Sequence, residues 1–81
     1  MQQFKKNNLT ELAKRIKKLR LERSKSLNKF CFTKGDVTTA TWCGIENALV
    51  DPKFSTLVEV CSMLELNLSE LFYDLPIKYD K

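Results

Sequence analysis

The stretch NLTELAKRIKKLRLERS, residues 8–24, repeats its apolar side chains at helical spacing and carries one charged residue among them. At 100° per residue, an arc of about 120° holds Leu9, Leu12, Ala13, Ile16 and Leu19. Arg20 falls inside the same arc, where a guanidinium needs a carboxylate partner or a route to water. The helix is therefore predicted to pack against an element that carries a carboxylate beside its apolar stripe.

A second helical stretch, from Thr39 to about Asn47, supplies such a carboxylate. One side of it carries Trp42, Ile45, Glu46 and Leu49, and the opposite side carries Ala40, Cys43, Gly44 and Asn47. We expect Arg20 and Glu46 to form a half-buried ion pair that ties the first helix to the third. Such pairs specify an arrangement more than they add net stability.

Capping signals predict where the first two helices start. Asn8, followed three residues later by Glu11, predicts a capping box for the first helix. Residues 1–6 then form a polar, basic arm without a helical period. Ser26 is the predicted cap of a second helix that runs from Leu27 to about Thr33.

Three further helices follow, which makes five in all. A turn at Gly35 leads to Thr38, the predicted cap of the third helix. Pro52 starts or precedes a fourth helix, and Asn67 with Glu70 predicts a capping box for a fifth. The fourth helix has apolar residues at i, i+3, i+4 and i+7, namely Leu57, Val60, Cys61 and Leu64.

The end of the chain alternates apolar residues with polar residues or proline. The apolar members are Tyr73, Leu75, Ile77 and Tyr79. We expect an extended tail. The alternative is a strand, which Pro76 would confine to a sheet edge or a non-bonded position and which would pair with its symmetry copy in a dimer.

Length and composition favour a small cytosolic binding domain. The chain of 81 residues is long enough for one domain. No apolar run approaches the roughly 18 residues of a membrane span, and the basic N-terminus is not followed by the hydrophobic region of a secretory signal. The sequence has no histidine, no glycine-rich phosphate loop and no paired acids, so we expect no enzymatic activity.

The cysteines Cys31, Cys43 and Cys61 do not form a C-x-x-C motif. Without histidine, a zinc site would need carboxylate ligands, so we expect three reduced thiols and no metal or cofactor. The alternative concerns Cys43, on the exposed flank of the third helix. Oxidation there would add bulk and could act as a redox switch, although no neighbour in the sequence clearly activates this thiol.

The net charge of +4 is unevenly distributed along the chain. Residues 1–29 hold ten Lys/Arg and two Glu, whereas residues 30–81 hold four Lys and eight Asp/Glu. A basic surplus predicts a polyanionic partner, but here it lies upstream of the third helix.

Four segments together resemble a known family. IKKLRLERSKSL, GIEN, DPKFSTLVEVCSML and LNLSELF resemble the Cro/phage-repressor type of helix-turn-helix domain (the XRE group) from about Leu12 to Phe72. Asp36 is one extra residue in the turn between helices 2 and 3. The segments IKKLRLER and CGIE are also similar to controller proteins of restriction–modification systems.

The resemblance implies an all-α, five-helix phage-repressor-like DNA-binding domain with a helix-turn-helix formed by helices 2 and 3. It covers residues 9–73, between a basic N-terminal arm (1–8) and a C-terminal tail (74–81). A homodimer would bind double-stranded DNA, with the recognition helix at about 39–47 in the major groove.

Site residues follow from the resemblance, the flanking lysines and the surplus apolar residues near the C-terminus. The residues expected to face bases are Thr39, Ala40, Cys43 and Gly44. Those expected near phosphates are Lys25, Ser26, Leu27, Lys29, Thr38, Thr41, Asn47 and Lys53. The dimer candidates are Met63, Leu66, Tyr73, Leu75 and Ile77.

The chain departs from the family pattern at several positions. Leu27 replaces the usual glutamine, and Ala48 replaces the expected glycine. The base-facing positions lack Arg, Lys, Asn and Gln, so they cannot form the bidentate base contacts worth about 1–3 kcal/mol each. Specificity would then come from thymine methyl groups and DNA shape.

Two functions are compatible with these features. The favoured one is a sequence-specific DNA-binding transcriptional regulator that acts as a dimer. The alternative is a protein-interaction module, an antitoxin or anti-repressor with weakened DNA recognition. Its apolar patch of Leu49, Val50 and Phe54 would dock a protein partner such as a toxin or another regulator.

Overall fold

Five helices run through residues 2–79, the part of the chain that the computed structural model describes, with side chains described from Asn7 onward. They are α1 (Gln2–Arg23), α2 (Leu27–Lys34), α3 (Thr39–Glu46), α4 (Phe54–Leu64) and α5 (Leu68–Phe72). No strand occurs within residues 2–79. The predicted all-α, five-helix architecture is confirmed. None of the described helices is long and apolar enough to cross a membrane.

The core forms where α1 lies against the other four helices. The apolar stripe of α1 is turned inward, and Ile16 is fully buried. Phe30 of α2 and Trp42 of α3 meet edge to face, with ring centroids 5.0 Å apart. The core residues are Leu12, Ile16, Phe30, Cys31, Val37, Trp42, Ile45, Val60, Cys61, Met63, Leu64 and Leu71.

Helix α1 begins much earlier than the sequence predicted. It starts at Gln2, so the expected basic arm is helical from that residue on, and the predicted capping box at Asn8 is wrong. Asn8 lies within the helix and binds the C-terminal tail instead. Its Nδ2 donates to the Lys78 carbonyl at 2.9 Å, and the Lys78 N–H donates to its Oδ1 at 2.8 Å. Met1, where the expected arm begins, and residues 80–81 lie outside the described residues.

The other predicted caps are formed. Ser26 and Thr38 each accept a hydrogen bond from the main-chain N–H three residues further on. The capping box of α5 is complete, because the Asn67 side chain accepts from the Glu70 N–H and the Glu70 carboxylate accepts from the Asn67 N–H. These caps satisfy N–H groups that have no partner inside the helix.

Two arginines of α1 bind the carboxyl ends of other helices. Arg15 Nη1 donates to the carbonyls of Leu71 (3.0 Å) and Tyr73 (2.9 Å) at the end of α5. Arg23 Nε donates to the Leu64 carbonyl at the end of α4, at 2.7 Å. Cations are favourable there because the last carbonyls of a helix lack intrahelical donors. Part of the N-terminal positive charge is therefore used inside the fold.

The C-terminal segment returns to α1, where Lys78 binds Asn8, and it does not form a strand within the described residues. One dimer candidate is wrong: Met63 is 1% exposed and belongs to the core, so it has no surface for a second copy. Leu66 and Leu75 pack against the core. The two remaining dimer candidates are Tyr73, which is exposed, and Ile77, which is half-buried.

Candidate functional site

An ion pair that is almost fully buried attaches the inner side of α3 to α1. Arg20 Nε and Nη2 donate to the two carboxylate oxygens of Glu46, each at 2.8 Å, and the two side chains are 6% and 5% exposed. Trp42 Nε1 donates to Glu46 Oε2 at 2.6 Å. Arg20 Nη1 donates to the carbonyls of Ser24 and Lys25. The pair predicted from the helical wheel is present, and it is more deeply buried than expected.

The same contacts set the charge of Arg20 and the direction of α3. The hydrogen bonds that Arg20 donates to Glu46 are the main reason that the pKa of Arg20 is raised, so the guanidinium remains charged. Because the Arg20 side chain links α1, the connection to α2 and α3, rotation of α3 about its axis would break the two charge-assisted hydrogen bonds between Arg20 and Glu46. The outward face of α3 is thereby specified from inside the protein.

The side chains on the outward face of α3 are small and uncharged. Ala40, Cys43 and Asn47 are exposed. Asn47, predicted to contact phosphate, donates its side-chain amide to the Cys43 carbonyl at 2.8 Å and to Cys43 Sγ at 3.3 Å. That amide therefore satisfies the last turn of its own helix instead of projecting outward.

Two of the predicted base-facing residues are half-buried. A Cβ added at Gly44 would lie 3.5 Å from Val50 Cγ1, an ordinary contact distance, so Val50 covers part of this position. Burial raises the pKa of the Cys31 thiol, and a hydrogen bond with the Thr39 side chain opposes the rise. Ala40 and Cys43 are thus the predicted base-facing residues with fully exposed positions.

The end of α3 directs an apolar side chain into solvent. Ala48 has a left-handed backbone (φ 57°), and its N–H donates to the Ile45 carbonyl. The Leu49 N–H donates to the Gly44 carbonyl, which completes a Schellman motif. The helical wheel placed Leu49 on the buried side, but the helix has already ended, and Leu49 is 77% exposed.

Exposed hydroxyls and lysines flank this face. Neither α2 nor α3 has an acidic residue in its first turn. Leu27 is half-buried and packs against the core. The other residues predicted near phosphates are all exposed: Lys25, Ser26, Lys29, Thr38, Thr41, Asn47 and Lys53. With Asn47 bound to its own helix, the flanks supply three lysines and three hydroxyls.

The sequence analysis missed one large exposed side chain. Phe32 on α2 is 89% exposed, directly after the buried pair Phe30 and Cys31. The helical period could have found it, since a residue next to two inward positions on a short helix turns outward. Phe54, predicted as part of an apolar patch, is 71% exposed.

Within the described residues, no group of three Cys, Asp or Glu side chains is placed to hold a metal ion. Comparison of the chain with protein-family models, curated proteins and solved structures gives no match. Any assignment of function therefore depends on the geometry of the α3 face and its flanks.

Proposed function

We propose that α2 and α3 form a helix-turn-helix unit and that the protein is a transcriptional regulator that binds double-stranded DNA as a dimer. The observation that carries this proposal is the α3 face itself. Its exposed side chains carry no charge, and the buried Arg20–Glu46 pair holds it outward between flanks that bear lysines and hydroxyls. A polyanion can approach such a face without meeting a carboxylate on α3.

The connection between α2 and α3 supports a helix-turn-helix. Residues 35–38 join the two helices, and such turns have three or four residues and often contain glycine. Gly35 adopts a left-handed backbone (φ 82°) after α2, a conformation that costs other residues more. The two helices pack against each other.

Binding would depend on phosphate contacts at the flanks more than on base contacts. The N-terminal N–H groups of α2 and α3 favour an anion, and Lys25, Lys29 and Lys53 add positive charge. Ala40 and Cys43 can offer only small contacts to base edges. Preference for particular sequences would then come from thymine methyl groups and DNA deformability.

The test is binding to a labelled random duplex, measured by fluorescence anisotropy at several salt concentrations. If three lysines neutralise three phosphates per protomer, the dimer neutralises six, and affinity falls by about three orders of magnitude between roughly 50 and 200 mM salt. Ala40→Glu places a carboxylate on the exposed face of α3 and is expected to weaken binding at least tenfold or so. Lys17→Gln is the matched control, because it changes the net charge equally on the outer face of α1 and should matter little.

Equal losses in the two variants would mean that binding follows net charge alone, and the proposed α3 interface would be wrong. Selection from a random DNA pool then tests sequence preference, and sedimentation tests the dimer. A protein that retains no DNA at low salt is not a DNA-binding regulator.

The second candidate function is protein docking through the same end of the molecule. Leu49 and Phe54 are strongly exposed, and Val50 covers Gly44, which makes this region more apolar than a DNA-binding face requires. An antitoxin or anti-repressor would use such a patch. Absence of DNA binding, combined with a partner whose affinity falls in Leu49→Ser and Phe54→Ser, would favour this function.

A further inference from the structure

A cavity of about 260 Å³ opens between the end of α1, the outer side of α2 and the carboxyl end of α4. The polar and charged residues that line it are Arg23, Ser24, Lys29, Thr33, Lys34 and Glu65. The buried ring of Phe30 lies at its base. The cavity is not part of the α3 face.

The lining has a net positive charge, and one of its basic residues, Lys34, forms an ion pair with the acidic residue Glu65. Three lining residues are basic and one is acidic. Lys34 Nζ lies 2.7 Å from Glu65 Oε2, which joins α2 to the end of α4 and lowers the pKa of Glu65. Arg23 is fixed by hydrogen bonds from Nε to the Leu64 carbonyl and from Nη1 to the Leu19 carbonyl.

Glu65 occupies a backbone position that other residues fill more easily. It has a left-handed conformation (φ 60°, ψ 44°) at the end of α4. The Leu66 N–H donates to the Cys61 carbonyl, which forms a Schellman motif. Glycine or asparagine is usual there, so a glutamate adds backbone strain while it places a carboxylate beside Lys34. Strain of this kind often accompanies a binding site.

We propose that this cavity binds a small organic phosphate in its dianionic form, and that the phosphate displaces Glu65 from Lys34. With Glu65 included, the lining has a net charge of +2, which matches a dianion. The volume of about 260 Å³ leaves room for a small phosphate monoester. Lysine, arginine and hydroxyl groups are common donors to phosphate oxygens, and Thr33 supplies a hydroxyl.

The probe is ethyl phosphate, titrated into ¹⁵N-labelled full-length protein at constant ionic strength and followed by chemical shifts. Saturable changes are expected at the amides of Ser24, Thr33 and Lys34. Binding should weaken about tenfold between pH 7.5 and pH 5, because the second pKa of a phosphate monoester is near 6. Malonate serves as a dicarboxylate dianion for comparison, and tighter binding of malonate would overturn the phosphate assignment.

Two variants and a control test the role of the ion pair. Lys34→Gln removes an exposed pair of little value to stability and should weaken ethyl phosphate binding at least about tenfold. Glu65→Asn removes the competing carboxylate, suits the left-handed backbone and should tighten binding. Lys14→Gln, on the outer face of α1, should leave the affinity unchanged.

Shifts that grow linearly with ethyl phosphate, or equally around Lys14, would show general counterion binding and overturn the proposal. Unchanged affinity in Lys34→Gln would do the same. Lys29 is also among the proposed DNA contacts, but the titration contains no DNA. A negative result in the phosphate titration would therefore overturn the cavity proposal without bearing on the DNA-binding proposal.

Discussion

Replacement of Glu46 by leucine tests whether the buried ion pair determines how α3 is held. Glu46→Leu leaves Arg20 charged and only 5% exposed, and it also removes the acceptor of the Trp42 indole N–H. Loss of one partner of a buried pair costs about 3–5 kcal/mol. At about 0.05–0.15 kcal/mol per residue, a chain of this length has a free energy of unfolding of roughly 4–12 kcal/mol. The variant should therefore lose a large part of its stability.

The double variant Arg20→Met/Glu46→Leu separates the charge effect from the hydrogen bonds. It removes the uncompensated guanidinium but leaves the Trp42 N–H without an acceptor, which costs about 1–3 kcal/mol. It also leaves the Ser24 and Lys25 carbonyls without the Arg20 donor. We therefore expect the double variant to be more stable than Glu46→Leu. Glu11→Leu is the control, because its 3.7 Å pair with Lys14 is exposed and should contribute less than about 1 kcal/mol.

Urea unfolding provides the measurement, with circular dichroism for helix content and fluorescence for the single tryptophan. Trp42 touches the altered pair, so its fluorescence reports the local environment as well as global unfolding. A loss below about 1 kcal/mol in Glu46→Leu, or a double variant less stable than Glu46→Leu, would refute the argument from buried charge.

Three further predictions follow from local geometry. Ala48→Gly should stabilise the protein by about 0.5–1 kcal/mol, because relief of the left-handed strain exceeds the added chain entropy; a lower melting temperature would contradict this. A thiol reagent at neutral pH should label Cys43 in the native protein, because this cysteine is exposed. Cys31 and Cys61 should react only on unfolding, since burial raises the pKa of both thiols. Three equal labelling rates in a mass-spectrometric time course would be inconsistent with this prediction. Asn8→Ala should remove the hydrogen-exchange protection of the tail amide that binds Asn8, with less than about 1 kcal/mol lost overall; unchanged protection would show that the amide is held by other contacts.

The sequence predicted the parts of the fold that depend on helical period and on local caps. The pairing of Arg20 with Glu46 could be predicted because each residue lies on an apolar stripe, where a buried charge needs an opposite charge as its partner. Ser26, Thr38 and Asn67 could be identified because a cap involves residues only three positions apart. The same logic gave the five helices.

Other features depend on contacts between distant residues, which a periodic pattern does not contain. The start of α1 was misplaced because its first turns are polar, and Asn8 binds Lys78 near the other end of the chain. Arg15 and Arg23 use part of the basic surplus within the fold, because they bind helix ends that cannot be located from their own neighbourhood.

The candidate site was predicted in outline but not in detail. The exposure of Ala40 and Cys43 follows from the helical wheel. The covering of Gly44 by Val50 and the outward turn of Leu49 arise after α3 has ended, where the period no longer applies. A left-handed residue at Ala48 could not be foreseen, because alanine carries none of the signal that glycine would have given.

The buried attachment of α3 also means that the residues that orient this helix differ from those that it exposes to solvent. Exposed positions such as Ala40 and Cys43 can be exchanged at a cost usually within ±0.5 kcal/mol or so. The exposed surface of α3 can thus change without loss of the fold. For protein engineers, it is a small scaffold on which two side chains can be randomised while Arg20 and Glu46 stay fixed.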